Sequence, residues 1–199
     1  MKASQPVKLL VGLGNPGSEY ADTRHNAGAW FAEAVARRFG TTPLAPESKF
    51  HGHVTQASVG SRAVRILVPT TFMNDSGRSV AAIANFYKIE PESILVAHDE
   101  LDIEPGTVRL KTGGGHGGHN GLRDVIASLG NQKNFGRLRI GIGHPGNAKQ
   151  VSGYVLKRAP SDQHEKIEAA VDAALHHFEA IAAGDWQETM NQLHTFSAE

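Results

Sequence analysis

Apolar positions along this chain recur with two periods that alternate from one end to the other. Short apolar runs bounded by glycine, proline or charged residues predict strands, whereas apolar residues three and four positions apart predict amphipathic helices. Strands are predicted at residues 7–13, 50–59, 62–69, 94–98, 107–110 and 138–143. Helices are predicted at residues 27–39, 76–88 and 122–129, from Ser161 to Gly184, and around Trp186, Met190 and Leu193.

This alternation of strands and helices predicts an α/β fold, because parallel strands need a long crossover connection that is usually helical. Strands 50–59 and 62–69 are separated only by Gly60 and Ser61, which predicts a hairpin and therefore an antiparallel pair. We expect residues 1–199 to form a single three-layer domain. Its twisted mixed β-sheet would carry helices on both faces.

The composition of the chain excludes several kinds of site and indicates where in the cell the protein acts. The chain contains no cysteine, which excludes disulfides, thiolate nucleophiles and cysteine-ligated zinc. No run approaches the roughly 18 apolar residues of a membrane span, and the first residues lack the pattern of a secretory signal. We therefore expect a soluble, cytoplasmic protein with no membrane partner.

The charges are segregated along the chain although their formal sum is zero. Residues 106–160 hold nine Lys and Arg against one acidic residue, whereas residues 161–199 hold eight acidic residues against one Lys. A basic block of this kind favours a polyanionic ligand by phosphate electrostatics. The alternative is a solvated surface that acidic residues balance in space.

The glycine loop, which we define as residues 113–121, lies inside the basic block. It contains six glycines, two histidines and an asparagine between a predicted strand and a predicted helix. Glycine allows the backbone to adopt positive φ and to approach a ligand closely, and the end of the loop delivers polar groups to a helix start. This pattern favours a binding or catalytic loop over a passive connection.

Polar residues also follow the predicted strands. These residues are Asn15, Asn74, Asp99 and the pair His119 and Asn120. If the strands concerned are parallel, their carboxyl ends meet at one edge of the sheet, which is where ligands bind in such folds. Each residue alone could instead belong to a turn or cap a helix.

Three other motifs are weaker. Residues 12–17 match the G-x-G-x-x-G pattern of a dinucleotide site, but Pro16 interrupts the helix that this pattern requires. Residues 77–81 resemble a nucleophile elbow, yet no strand leads directly into them. His116 and His119 have the spacing of a metal pair, but they lie on a loop, so we expect neither a metal site nor any cofactor.

The remaining chemistry is acid–base catalysis by a side chain. Among eleven histidines, His25 lies in a polar stretch between the edge that carries Asn15 and a predicted buried helix. The same edge could bring Asp99 close to it. A histidine held by a carboxylate can remove a proton from water near neutral pH.

Six segments in order make the chain similar to the bacterial peptidyl-tRNA hydrolases. They are Gly12-Leu13-Gly14-Asn15-Pro16-Gly17, Thr23-Arg24-His25-Asn26-Ala27-Gly28, Pro69-Thr70-Thr71-Phe72-Met73-Asn74, His98-Asp99-Glu100-Leu101-Asp102, residues 113–121 and Arg137-Leu138-Arg139-Ile140-Gly141-Ile142-Gly143-His144-Pro145. The resemblance implies a monomeric, mixed-sheet α/β enzyme that hydrolyses the ester between a peptide and the terminal ribose of tRNA. It implies no metal and no cofactor.

Site residues follow from the resemblance by motif. His25 would activate water and Asp99 would stabilise the imidazolium, while Asn15 would help to distinguish a blocked amino group from a free one. Asn74 and Asn120 would hold the peptide, with support from His119. Apolar or stacking contact beside the 3′ end would come from Tyr20, Phe72 and Met73, and the clamp for the 5′ phosphate from Lys111 and Arg139.

One position departs from the family pattern. Asp75 stands where the family usually has an apolar residue, and its carboxylate could cap a helix or alter the local potential. The main alternative to an enzyme is an RNA-binding protein that uses the same scaffold without catalysis, and a nucleotide-dependent oxidoreductase is a weaker one.

Overall fold

The computed structural model describes residues 5–196 and 198 of the chain. The strands within them are β1 (Leu9–Gly12), β2 (Ala45–Glu47), β3 (Gly52–Val59), β4 (Arg62–Pro69), β5 (Ile94–Glu100), β6 (Val108–Thr112) and β7 (Gly136–Gly141). The helices are α1 (Ala27–Phe39), α2 (Ser76–Tyr87), α3 (Asn120–Ser128), α4 (Val151–Val155), α5 (Ser161–His176), α6 (Phe178–Ala183) and α7 (Trp186–Thr195). Single 3₁₀ turns include Arg24–Asn26 and Met73–Asp75.

All of these strands belong to one sheet with the order β2-β3-β4-β1-β5-β7-β6. The four central strands β4, β1, β5 and β7 are mutually parallel, and the pairs β2–β3, β3–β4 and β6–β7 are antiparallel. The predicted hairpin and the predicted mixed sheet are therefore confirmed. That one domain spans residues 1–199 stays a prediction, since residues 1–4, 197 and 199 lie outside the described residues.

Helices cover both faces of the sheet, as the α/β prediction requires. Alternation along β1 sends Leu10 to one face and Leu9 and Val11 to the other. The first face packs against α1 and the helices α5 to α7, and the second packs against α2 and α3. Among the helices of the described residues, none is long and apolar enough to cross a membrane.

A close approach of α1 to the sheet places the start of this helix beside β5. A Cβ atom at Gly28 would lie 2.1 Å from the carbonyl oxygen of Ala97, which no side chain can do without a shift of the backbone. Glycine at this position therefore sets how near the turn preceding α1 comes to the end of β5. That distance matters because both segments carry candidate catalytic residues.

Two element predictions are wrong in detail. The predicted long helix is divided at His177, where a 3₁₀-type bond from His177 N to Ala174 O tightens the last turn of α5. Phe178 and Ile181 remain buried beyond the division, so the apolar spacing does not reveal it. The strand predicted at 138–143 lies instead at Gly136–Gly141, because Arg137 is buried within it rather than exposed in a loop.

Two short elements were not predicted, namely β2 and α4. The first has three residues including a proline, and the second has five, so neither is long enough to show a period. The α4 helix matters for function because it lines the cleft described below.

The path of the glycine loop also differs from expectation. Because β6 is antiparallel to β7, the loop begins at the amino edge of the parallel strands, where Gly113 N donates to Phe135 O at 3.0 Å. The prediction of one shared carboxyl edge assumes that the strands before all five polar residues are parallel, and this assumption is wrong for β6, the strand that precedes the loop. The loop instead crosses back to that edge, and Arg137 fastens it by donating to the carbonyls of Gly114 and Gly115 at 2.6 and 2.5 Å.

Candidate active site

A cleft of about 560 Å³ opens at the carboxyl edge of the parallel strands. Residues at or just after the ends of β1, β4 and β5 form its floor, the glycine loop and the start of α3 form one side, and α4 forms another. Its lining residues are Asn15, Tyr20, His25, Phe72, Met73, Asn74, Asp99, Glu100, Leu101, Gly117, Gly118, His119, Asn120, Ala148, Val151, Ser152, Val155 and Leu156. The structure thus brings nine of the predicted site residues to one cleft, and it places Lys111 and Arg139 outside it.

A buried hydrogen bond joins the predicted base and its predicted partner. Nδ1 of His25 lies 2.8 Å from Oδ2 and 3.0 Å from Oδ1 of Asp99, and the two residues are 8% and 3% exposed. Since a carboxylate only accepts, Nδ1 carries the proton and donates it to Asp99. This tautomer leaves the lone pair on Nε2, on the opposite side of the ring, and His25 lines the cleft.

The same carboxylate accepts a second hydrogen bond from His119. Nδ1 of His119 accepts from the backbone N–H groups of Gly121 and Leu122 at 3.1 and 3.2 Å, so this residue caps α3 with its ring. The cap places the proton of His119 on Nε2, which donates to Asp99 Oδ1 at 2.8 Å. Asp99 is therefore oriented by two imidazoles that come from different segments of the chain.

Electrostatics favour an ionised Asp99 and a more basic His25. Burial lowers the pKa of His25, but attraction to the Asp99 carboxylate and the hydrogen bond between them outweigh burial, so the pKa lies above its ordinary value. Burial raises the pKa of Asp99, yet attraction to His25 and His119 and the hydrogen bonds from both rings hold it well below its usual range. The pair is poised for a histidine that accepts a proton and a carboxylate that stays charged.

A third histidine, His98, packs behind the pair and stays neutral. Its ring centroid lies 5.1 Å from that of His119, and its Nδ1 donates to the backbone carbonyl of Asp99 at 2.8 Å. Burial, with repulsion from His119 and Arg137, lowers the pKa of His98 to about 3. His98 therefore supports the backbone of Asp99 without adding charge.

The amide of Asn15 is held in one orientation. Its Oδ1 accepts from Met73 N at 2.7 Å, so its Nδ2 hydrogens remain for the cleft. Asn26 fixes the backbone of the same residue, because its Oδ1 accepts from Asn15 N and its Nδ2 donates to Asn15 O, each at 2.9 Å. Asn26 was missed as a supporting residue, although it directly follows His25 in the sequence.

The other two predicted asparagines are less constrained. Asn74 and Asn120 are both exposed at the rim of the cleft. Asn120 Oδ1 accepts from the guanidinium of Arg123 at 3.0 Å, which directs its amide. Their amides can each donate and accept, as a peptide main chain requires of a partner.

The three residues predicted to give apolar contact differ in exposure. Phe72 is 60% exposed and meets Tyr20 edge to face, with the ring centroids 6.5 Å apart. Met73 is 4% exposed and belongs to the core between the sheet and α2, so it contributes little surface to the cleft. Tyr20 and Phe72 together form an aromatic rim.

Asp75, the departure from the family pattern, does not cap a helix. It occupies the N-cap position of α2, but its side chain makes no capping hydrogen bond. Its carboxylate instead lies 3.9 Å from the guanidinium of Arg78 on the exposed surface. A free backbone N–H group at the start of α2 finds its acceptor in another helix, since Gly77 N donates to Asp124 Oδ2 at 2.7 Å.

The predicted phosphate clamp lies in a second hollow beside the cleft, on the far side of the glycine loop. Lys111 and Arg139 both line it, with Arg137 between them on the paired strands. Arg139 Nε donates to Glu100 Oε1 at 2.8 Å, which leaves the terminal NH groups of the guanidinium for another anion. Burial and repulsion from Arg139 lower the pKa of Arg137 to about 10, so Arg137 remains charged at neutral pH.

The metal-pair reading of His116 and His119 does not fit the geometry. His116 Nδ1 accepts from Gly118 N at 2.9 Å within a local turn. A different set, His25, Asp99 and His119, has ligand atoms within 4.8 Å of one another in the described residues. In that set the two ring N–H groups that face Asp99 are already hydrogen-bonded to it, which suits a carboxylate that orients two imidazoles better than a cation site.

Comparisons of sequence and of structure with known proteins identify the same family. Residues 9–199 match the family model described as peptidyl-tRNA hydrolase. A peptidyl-tRNA hydrolase of Saccharophagus degradans is 60% identical over 95% of both chains, and one of Teredinibacter turnerae is 62% identical over 96% of this chain and 98% of its own. A crystal structure of peptidyl-tRNA hydrolase from Acinetobacter baumannii superimposes with a TM-score of 0.93 at 50% identity over 99% of both chains.

Proposed function

Since the chain belongs to the peptidyl-tRNA hydrolase family, we propose that it hydrolyses the ester between the peptide and the terminal ribose of tRNA through water activated by His25. The observation that carries this proposal is the buried hydrogen bond between His25 Nδ1 and Asp99, which leaves Nε2 of His25 as a base on the cleft. The substrate would be a peptidyl-tRNA or an N-blocked aminoacyl-tRNA.

The proposed reaction begins with proton transfer from water to His25 Nε2. The resulting hydroxide attacks the ester carbonyl carbon, and the new C–O bond gives a tetrahedral intermediate with a negatively charged oxygen. The bond to the ribose oxygen then breaks, and the imidazolium returns its proton to that oxygen. Asp99 stays ionised and stabilises the imidazolium throughout, which its lowered pKa supports.

The amides around the cleft would position the reacting groups. Asn15 presents Nδ2 hydrogens in a fixed orientation and would read the blocked amino group, while Asn74 and Asn120 would hold the peptide main chain and direct its carbonyl. Every peptidyl-tRNA differs in its side chains, so recognition through amides suits a substrate whose constant parts are main chain, ester, ribose and phosphates. Tyr20 and Phe72 would stack beside the 3′ end.

The proposed chemistry uses side chains alone, and the enzyme would act as a monomer in the cytoplasm. An assay with N-blocked aminoacyl-tRNA in the presence of a chelator tests the metal-free mechanism. If the chelator abolished turnover and added metal restored it, this mechanism would be contradicted.

The test of the base is His25→Ala. We expect turnover to fall by about 10²–10⁴-fold, because general base catalysis contributes that much, while tRNA affinity stays nearly unchanged. Single-turnover deacylation and equilibrium tRNA binding are measured on the same preparations. His176→Ala removes an exposed histidine from α5 and is the matched control. Unchanged turnover in His25→Ala would remove His25 from this role.

A further inference from the structure

The 3₁₀ turn Arg24–Asn26 joins the floor of the cleft to the wall formed by α4. Its three residues are consecutive and buried, and each fastens a different part of the site. His25 binds Asp99 at the end of β5, and Asn26 binds the backbone of Asn15 after β1. Arg24, which no part of the proposed function uses, binds the segment that contains α4.

Arg24 contacts this segment through its backbone and its guanidinium. Its backbone N donates to Lys157 O at 3.1 Å, and its Nη1 donates to Tyr154 O at 2.9 Å, with a longer contact of 3.5 Å to Lys157 O. The guanidinium carbon also lies 3.7 Å from the centroid of the Tyr154 ring, a cation–π stack. Tyr154 is held from the other side, because its hydroxyl donates to Ile142 O at 2.6 Å.

The α4 helix depends on such contacts from outside. It has five residues, and an isolated helix of that length is not stable in water. The carbonyls at the end of a helix have no partner within it, and arginine side chains can satisfy them. Arg24 does so while being only 6% exposed, and no acidic side chain pairs with it in the part of the chain that the structure describes.

The wall that Arg24 holds is a substantial part of the cleft. Val151, Ser152, Val155 and Leu156 all line it. The position of this wall relative to His25 is thus set by the residue next to His25 in the chain. A displaced wall would weaken its contact with substrate while the hydrogen bond between His25 and Asp99 stays in place.

We propose that Arg24 is a positioning residue that fixes the α4 wall at the distance from His25 that the substrate requires. This inference rests on the proposed function, since it assumes that substrate lies between the two. Contacts of the wall act equally on bound substrate and on the transition state, so their loss raises KM and leaves kcat unchanged. Arg24 holds the wall through hydrogen bonds from a charged donor, and a bond of this kind is equivalent to a factor of about ten or more in an equilibrium constant. If the wall contacts are lost with these bonds, we expect KM to rise by about tenfold.

The test compares Arg24→Gln with Arg24→Lys and Tyr154→Leu. Arg24→Gln loses the charge and the stack, whereas Arg24→Lys keeps a charged donor and is expected to recover part of the loss in KM. Tyr154→Leu removes the ring beneath the guanidinium, and it tests the same contact if Arg24→Gln fails to fold. Asp22→Asn is the matched control, because Asp22 reaches the same segment through an exposed contact of 3.8 Å to Arg158.

Three readouts distinguish this role from others. Steady-state kinetics should show a raised KM with an unchanged kcat and an unchanged pH profile. Amide hydrogen exchange should rise in residues 151–157 and not in β5, a result that holds whether or not His25 is the catalytic base. A fall in kcat at constant KM, a shifted acid limb of the pH profile, or unchanged exchange in α4 would each overturn the proposal.

Discussion

At the scale of single residues, the site depends on which atom carries each proton. Asp99 accepts from Nδ1 of His25 and from Nε2 of His119, and the cap on α3 determines the tautomer of His119. Nε2 of His25 is thereby left as the basic nitrogen of a residue that lines the cleft. All histidines have the same side chain, so which ring nitrogen carries the proton in His25 and in His119 is set by their hydrogen-bond partners.

The first residue-scale prediction concerns the pH dependence of turnover. The neutral form of His25 is the base and its pKa is raised, so activity should fall as the pH decreases through a value above 6.5. In Asp99→Asn both effects that raise this pKa are lost and burial remains, so the acid limb should move below 6.5 while kcat falls. Profiles of kcat/KM against pH and an NMR titration of His25 measure the shift.

Glu104→Gln is the control for that experiment, because Glu104 is an exposed acid near the same strand end. An acid limb at the same pH in Asp99→Asn and in the parent protein would contradict the assigned coupling.

The second residue-scale prediction concerns stability. His98 has a pKa of about 3 when folded and about 6.5 when unfolded, so between these values only the unfolded chain binds the proton. Its contribution to the free energy of unfolding is therefore lost as the pH falls through this window, by about 2 kcal/mol between pH 7 and pH 5. Urea denaturation of His98→Asn should show a correspondingly smaller loss over that range.

The raised pKa of His25 acts in the opposite direction, since it stabilises the fold as the pH falls toward 6.5, but it is common to both proteins. A pH dependence of unfolding that is the same with and without His98 would contradict the prediction.

At the scale of elements, the site is assembled by close packing as much as by hydrogen bonds. The start of α1 presses on the end of β5, and only glycine fits at the contact. We expect Gly28→Ala to cost about 1–3 kcal/mol, or more, because the added methyl group meets the carbonyl of Ala97. Thermal and urea unfolding measure this loss.

Gly153→Ala is the comparison at this scale. Gly153 lies in α4, and a Cβ atom there has no neighbour within 4 Å, so alanine should be neutral or stabilising by about 1 kcal/mol through its helix propensity. If Gly28→Ala were as stable as Gly153→Ala, the packing of α1 on β5 would not depend on glycine.

The elements that the sequence predicts well are those with a clear period. Residues 27–39 carry apolar residues at helical spacing and form α1 with the predicted bounds. The 62–69 strand is likewise confirmed. The failures are the division at His177, which leaves the apolar face continuous, and the short elements β2 and α4, whose stability comes from neighbours such as Arg24 rather than from their own residues.

At the scale of the whole molecule, the segregation of charge along the chain places cations in one hollow. Lys111 and Arg139 line it beside the cleft, and Arg137 is committed to the glycine loop. If the peptidyl end of tRNA enters the cleft as proposed, these adjacent cations are the candidates for contact with its 5′ phosphate. This arrangement supports a clamp separate from the catalytic centre.

The corresponding prediction uses Lys111→Ala and Arg139→Ala. Each variant should weaken tRNA binding and reduce the slope of log K against log salt by about one, because one phosphate contact is lost. Parent and variants should bind tRNA without its 5′ phosphate alike, which assigns the loss to that group. Lys166→Ala, an exposed change in the acidic C-terminal region, is the control, and an unchanged salt slope in both test variants would place the clamp elsewhere.

The sequence by itself determined the class of fold, the candidate residues and the family resemblance, because apolar period, turn residues and short motifs are local properties of the chain. Only the tertiary structure decided that His25 and His119 share the carboxylate of Asp99, that the glycine loop crosses from the opposite edge of the sheet, and that Arg24 holds α4. These contacts join residues far apart in the chain, and the direction of β6, the tautomer of each imidazole and the burial of each charge depend on the neighbours that folding supplies.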